Sequence, residues 1–115
     1  MRPLIFVADS RRRILEFPEA VRRQVGFALY QAQMGGKHID AKPLKNFGPG
    51  VLEVVSDHDG DTFRTVYTVR LRAAVYVLHA FQKKSKHGIA TPKTVMDVVA
   101  QRLRRAVEID KESKN

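Results

Sequence analysis

The chain has 115 residues, nine aromatic rings from six phenylalanines and three tyrosines, and a formal charge of +9. That length supports one folded domain with a small core, and the aromatic and apolar content argues against a disordered basic tail. It contains no cysteine, which excludes disulfides, thiolate nucleophiles and cysteine-ligated zinc. No apolar run approaches the roughly 18 residues of a membrane span. The short N-terminal run Leu4–Ala8 is too brief for the core of a secretory signal, so a cytoplasmic location without membrane contact is expected.

Leu4–Ala8 reads as a short strand. Asp9-Ser10 supplies a helix N-cap before Arg11–Glu16, and Pro18 ends that turn while suiting the start of a second helix. The second helix runs to about Met34 and stops at Gly35-Gly36. Val21, Val25, Ala28, Leu29 and Ala32 form its buried stripe, with Phe27, Tyr30 and Met34 as a second stripe beside it. Residues 35–50 hold four glycines and two prolines and are expected to lack regular structure. Val51–Ser56 alternates around Glu53 as a strand. Asp59-Gly60 marks a hairpin turn into a strand over Phe63–Leu71. A turn at Arg72-Ala73 leads to Ala74–Gln82, apolar almost throughout. Thr91-Pro92 opens a last helix with Val95, Val98, Val99, Leu103 and Ala106 as its stripe. The expected fold is a small α+β domain over residues 1–110, in the order β-α-α-β-β-β-α. Its antiparallel sheet has helices on one face, and residues 111–115 form a frayed charged tail.

Charge is unevenly spread. From Arg64 through Met96 there are seven Lys/Arg and no Asp or Glu, whereas the other 82 residues carry 14 basic and 12 acidic side chains. A one-signed surface of this kind attracts polyanions, above all nucleic acid. With a turn at Arg72-Ala73, Arg64 lies opposite Phe81, Val66 opposite His79 and Tyr67 opposite Leu78. Arg64, His79, Phe81 and Lys83 then share a sheet face. A guanidinium, an imidazole, an aromatic ring and an ammonium can together grip a phosphodiester, stack a base and move a proton. Lys84 and Lys86 extend the positive field. Each residue also has an ordinary structural explanation: a solvated strand arginine, a core histidine, a solvated lysine loop. Their concentration in one acid-free window carries the case for a site. The Asp57, His58, Asp59 and Asp61 cluster has metal-ligand chemistry. The hairpin accounts for it, no glutamate follows at calcium-loop spacing, and no metal or other cofactor is expected.

Several segments resemble the RelE/ParE toxin superfamily, specifically its phage-derived, HigB-like branch. They are Leu15-Glu16-Phe17-Pro18-Glu19, Gln33-Met34-Gly35, Lys42-Pro43-Leu44-Lys45, Gly50-Val51-Leu52-Glu53, Phe63-Arg64-Thr65-Val66-Tyr67, and Tyr76 through Ser85 followed by Thr91-Pro92. The resemblance implies a RelE-like fold and the toxin of a type II toxin–antitoxin pair. In RelE-like members that means an mRNA endonuclease acting in the ribosome without a metal. The ribose 2′-OH attacks the adjacent phosphate, leaving a 2′,3′-cyclic phosphate and a 5′-OH. The implied catalytic residues are Arg64, Lys83 and Lys84, with His79 added from the sheet-face grouping. Lys45, Phe81, Lys86 and Lys93 are the expected nucleic-acid contacts. The partners implied are a cognate antitoxin of helix-turn-helix type, the ribosome and its mRNA, and promoter DNA only through the antitoxin complex. Many relatives carry a catalytic Tyr or His near the C-terminus, and the residues after Lys93 contain neither. The proton acceptor is therefore left open among a lysine, His79, His87, His58 or the ribosome itself. The alternative class is a non-enzymatic, ParE-like toxin that poisons DNA gyrase, which would need no phosphate-gripping cluster.

Overall fold

The structure, a computed structural model, describes residues 1–83 and 92–113. Lys84, Lys86 and His87 lie outside the described residues. The elements are β1 (Leu4–Phe6), α1 (Ser10–Leu15), α2 (Glu19–Gln33), β2 (Ala41–Pro43), β3 (Val51–His58), β4 (Asp61–Thr68), β5 (Val75–Lys83) and α3 (Lys93–Glu112). The strands form one mixed sheet in the order β1-β5-β4-β3-β2.

The three long strands form the expected antiparallel meander. Asp59 and Gly60 both take positive φ, 50° and 84°, as a two-residue hairpin that follows the strand twist requires. Three features differ from the sequence reading. Ala41–Pro43 adds a strand inside the stretch expected to be irregular. It is an edge strand, the one place in a sheet where a proline is tolerated. β1 pairs in parallel with β5, Leu4 beside Val75 and Phe6 beside Val77, so the sheet is mixed rather than antiparallel. The helices lie on both faces rather than one. Val21, Val25, Ala28 and Leu29 of α2 pack with Val54, Tyr67, Val75 and Val77, whereas Val99, Leu103 and Ala106 of α3 pack with Val66, Tyr76 and Leu78. A central strand buried on both sides has little polar surface, which is why β5 is apolar from Val75 to Leu78 and polar only at His79, Gln82 and Lys83.

The expected register between β4 and β5 holds at Arg64–Phe81 and Val66–His79 but then shifts, so that Tyr67 faces Val77 and not Leu78. The extra residue is a β-bulge at Leu78-His79. It changes the parity of the strand: Val75, Val77 and Ala80 face α2, while Tyr76, Leu78 and Phe81 face α3. The link between β4 and β5 is also longer than a tight turn, spanning residues 69–74. Arg2 holds it by donating to the carbonyls of Val69, Leu71 and Ala74.

From the other side Asp110 of α3 clamps the same link. Its carboxylate accepts from the backbone N–H of Ala73 at 2.7 Å and of Arg72 at 3.2 Å, and from the Tyr76 hydroxyl at 3.0 Å. Burial by itself would raise the Asp110 pKa, but these hydrogen bonds together hold it below the ordinary carboxylate value. Asp110→Ala strands three donors and is expected to lower the unfolding free energy by on the order of 2–3 kcal/mol in urea titrations. Because the folded pKa is depressed, this contribution is present above the ordinary pKa of 3.8 and is lost as pH falls through the lower folded value. An Asp110→Ala chain as stable as the parent would show that the link needs no clamp. Among the described residues no helix is long and apolar enough to cross a membrane.

Candidate functional site

Cross-strand pairing arranges three rows of side chains on the α3 side of the sheet. Lys42 pairs with Glu53, Glu53 with Val66, and Val66 with His79. In the next row Val55 pairs with Arg64 and Arg64 with Phe81. In the third Asp57 pairs with Thr62 and Thr62 with Lys83. Arg64, His79, Phe81 and Lys83 thus share a face, as their spacing predicts. The bulge places His79 there, beside Leu78 rather than opposite it. α3 packs on β5, at one side of this face.

The charge on this face is not one-signed. Glu53 stands on it between Lys42 and Arg64, 4% exposed. Its Oε1 accepts from Arg64 Nη1 at 2.6 Å and lies 3.9 Å from Lys42 Nζ. A window free of acids in the sequence therefore meets an acid contributed by the neighbouring strand. Arg64 is correspondingly not an open-face residue: its side chain is 14% exposed. Lys83 is 8% exposed. Burial, and next the Arg64 guanidinium, lower its pKa, with Glu53 pulling the other way. Lys42 is the solvent-facing member, its side chain 60% exposed. Three buried polar atoms of this cluster have no hydrogen-bond partner among the described residues: Glu53 Oε2, Arg64 Nε and Lys83 Nζ. Buried charged atoms without partners cost free energy and are concentrated where a ligand or water supplies the missing contact.

His79 stacks on Phe81, ring centroids 5.3 Å apart and planes 24° from parallel. Its Nδ1 lies 2.8 Å from Arg102 Nη1. A guanidinium has no acceptor, so Nδ1 must accept and the ring proton sits on Nε2. Arg102 also donates to the Leu78 carbonyl at 3.1 Å, within the bulge, and pairs with Asp9 Oδ1 at 2.6 Å. Asp9 does not cap α1 with its side chain. Its carboxylate turns instead to Arg102, Arg12 and Arg13. Burial, followed by Arg102 and Arg13, pushes the His79 pKa down to about 4, so the ring is uncharged near neutrality.

The remaining expected contacts lie apart from these rows. Lys45 follows β2 on an exposed turn, and Lys93 opens α3 with its ammonium 3.6 Å from Asp97. Asp57 accepts from the Thr62 hydroxyl at 2.9 Å, and among the described residues no three potential ligands come together to hold a metal ion. Sequence reasoning missed Glu53, Lys42, Arg102 and Asp9. A lone glutamate in the apolar run Val-Leu-Glu-Val-Val was the available signal for the first, since an unpaired carboxylate does not survive burial.

A small α+β domain with a basic cluster built around a buried carboxylate is the class that this fold and face define. The family model for phage derived protein Gp49-like (DUF891) matches residues 12–104. The chain belongs to this phage-derived Gp49-like family, which lies within the RelE/ParE-like toxin superfamily and whose members are commonly toxins of toxin–antitoxin systems. No curated protein and no solved structure matches the chain significantly.

Proposed function

We propose that this protein is the toxin of a type II toxin–antitoxin pair, of the HigB-like branch, and that it is a ribosome-dependent mRNA endonuclease that needs no metal. The observation that carries this reading is the clustering of Arg64, Lys83 and Lys42 beside the stacked His79–Phe81 pair on one sheet face. Attack of a ribose 2′-OH on its phosphate builds negative charge on the phosphoryl oxygens. Fixed cationic donors stabilise that charge, each worth roughly 10²–10³ in rate. Phe81 and the neutral His79 ring, 8% and 5% exposed, are both buried, so the stacked pair backs this cluster rather than offering a free ring face to a base. Gyrase poisoning would require no such cluster. The antitoxin would act by protein–protein contact, and promoter DNA would be reached only through it.

The test is expression of the chain without an antitoxin. Pulse labelling should show protein synthesis failing first while DNA synthesis and plasmid supercoiling continue, and primer extension should reveal breaks in translated mRNA. Linear DNA held by gyrase, with intact mRNA, would replace this reading with the ParE-like one.

A further inference from the structure

Three charged atoms on the α3 side of the sheet are buried and have no hydrogen-bond partner among the described residues: a carboxylate oxygen, Glu53 Oε2; a guanidinium nitrogen, Arg64 Nε; and an ammonium, Lys83 Nζ. Their chemistry is specific. Two can only donate, to an anion, and the third, as a carboxylate, can only accept, from a hydroxyl or amine. The ligand that completes all three carries an anionic group beside a hydroxyl. A phosphodiester with a neighbouring ribose 2′-OH has that pattern, and a DNA phosphodiester does not. The pairing scheme sets the spacing. Glu53 and Arg64 stand in adjacent rows and Lys83 in the row beyond Arg64, so the acceptor and the far donor flank the guanidinium from opposite sides. Arg64 holds Glu53 Oε1 at 2.6 Å, which fixes the carboxylate and leaves Oε2 as the accepting atom.

We propose that Glu53 is the proton acceptor of this site, taking the proton of the ribose 2′-hydroxyl while Arg64 and Lys83 hold the adjacent phosphate. This deepens the endonuclease reading and rests on it. The step balances without a further reactant. Glu53 Oε2 takes the 2′-OH proton, and the 2′ oxygen forms its bond to phosphorus. The bond from phosphorus to the 5′ oxygen breaks, and that oxygen leaves with a proton from the Lys83 ammonium. The products are a 2′,3′-cyclic phosphate and a 5′-OH, and exchange with water resets both side chains. Burial and the neighbouring Arg64 make Lys83 a readier proton donor than a solvated lysine. His79 does not compete for the acceptor role, because its one basic nitrogen is occupied by Arg102. The two roles thus fall on groups of β3 and β5, the strands on either side of the one that carries Arg64.

The experiment uses the full chain with ribosomes programmed by a short mRNA, and the isosteric substitution Glu53→Gln. Single-turnover cleavage should fall by about 10²–10³, within the range of general-base losses. Binding of a ribo-oligonucleotide should not weaken, because a negative charge has been removed. The parent should bind that oligonucleotide several-fold more tightly than its 2′-deoxy counterpart, and Glu53→Gln should lose the preference. Undiminished cleavage, or a retained ribose preference, overturns the proposal. If Glu53→Gln does not fold, Glu53→Asp keeps the charge but withdraws it by a methylene. Its cleavage rate per folded molecule should fall at least tenfold, whereas a purely structural glutamate would leave that rate unchanged. A parent chain that spares mRNA and traps gyrase sinks the endonuclease reading itself. A parent that cleaves as well as Glu53→Gln sinks only the role of Glu53.

Discussion

Arg64→Ala is expected to destabilise the fold by about 3 kcal/mol, the lower end of the 3–5 kcal/mol range for breaking a buried ion pair from one side. A strand arginine on an open face would cost no more than about 0.5 kcal/mol, which is the value its sequence context suggests. The structure overturns that expectation because the partner, Glu53, is buried and accepts from Arg64 at 2.6 Å. Removing the guanidinium takes away the close ion pair and leaves Lys42, 3.9 Å away at the sheet edge, as the remaining salt-bridge partner of Glu53 among the described residues. The double change Arg64→Ala with Glu53→Gln should recover much of the loss, since it removes the stranded charge as well. Urea unfolding at unchanged m-value measures both. A single mutant within 0.5 kcal/mol of the parent would show that solvent reaches the carboxylate freely. A small domain has only about 5–15 kcal/mol in total. Loss of toxicity in Arg64→Ala must therefore be compared with the amount of folded protein, and Arg64→Lys, which keeps a cation beside Glu53, is the better probe of phosphate contact.

The second large effect is a loss of stability in mild acid through His79. Its ring is 5% exposed in the fold, its ordinary pKa is 6.5, and burial with the Arg102 and Arg13 guanidinia lowers it to about 4. As pH falls below 6.5 the unfolded chain takes up a proton that the folded chain refuses until about pH 4. The contribution is complete above 6.5 and is lost across that window, about 3 kcal/mol in all. Urea midpoints at pH 7, 5.5 and 4.5 should fall accordingly, and His79→Gln should flatten the dependence. Asp9 and Asp110 act lower, because their depressed pKa values fall below 3.8. Proton NMR of the imidazole gives a direct check. A ring that titrates near 6.5 in the folded chain would remove the effect.

The parts of the fold legible in the sequence are those specified by local chemistry. Asp59-Gly60 has the backbone freedom a tight hairpin needs, Gly35 ends α2 at φ 88°, and the stripe from Val21 to Ala32 has helical period. What escaped is set by neighbours distant along the chain. Ala41–Pro43 looks like loop because a three-residue edge strand containing proline has almost no strand signature of its own. The bulge in β5 is invisible because both faces of that strand are apolar, so a change of parity leaves no trace in the pattern. The sequence spacing still groups His79 and Phe81 with Arg64, because the pairing toward the open end of the hairpin survives the shift. In the sequence Glu53 is only the polar position of an alternating strand, since nothing local shows that Arg64 will be its partner. Nothing local marks Arg102, which links Asp9 before α1 to the carbonyl in the bulge.

The parallel pairing of β1 with β5 has a consequence for synthesis of the chain. Leu4 is made well before its partner Val75, with two helices and three strands coming between them. A contact that spans so much sequence forms late, because the intervening chain must be ordered before the ends can meet. Phe81 and Lys83 lie on the same strand beyond Val75, so the basic face and the closing of the sheet depend on one late segment. A nascent fragment that stops before this strand has Arg64 and Glu53 but neither the second cation nor the stacked rings. Chains cut short before this strand would therefore lack the assembled face.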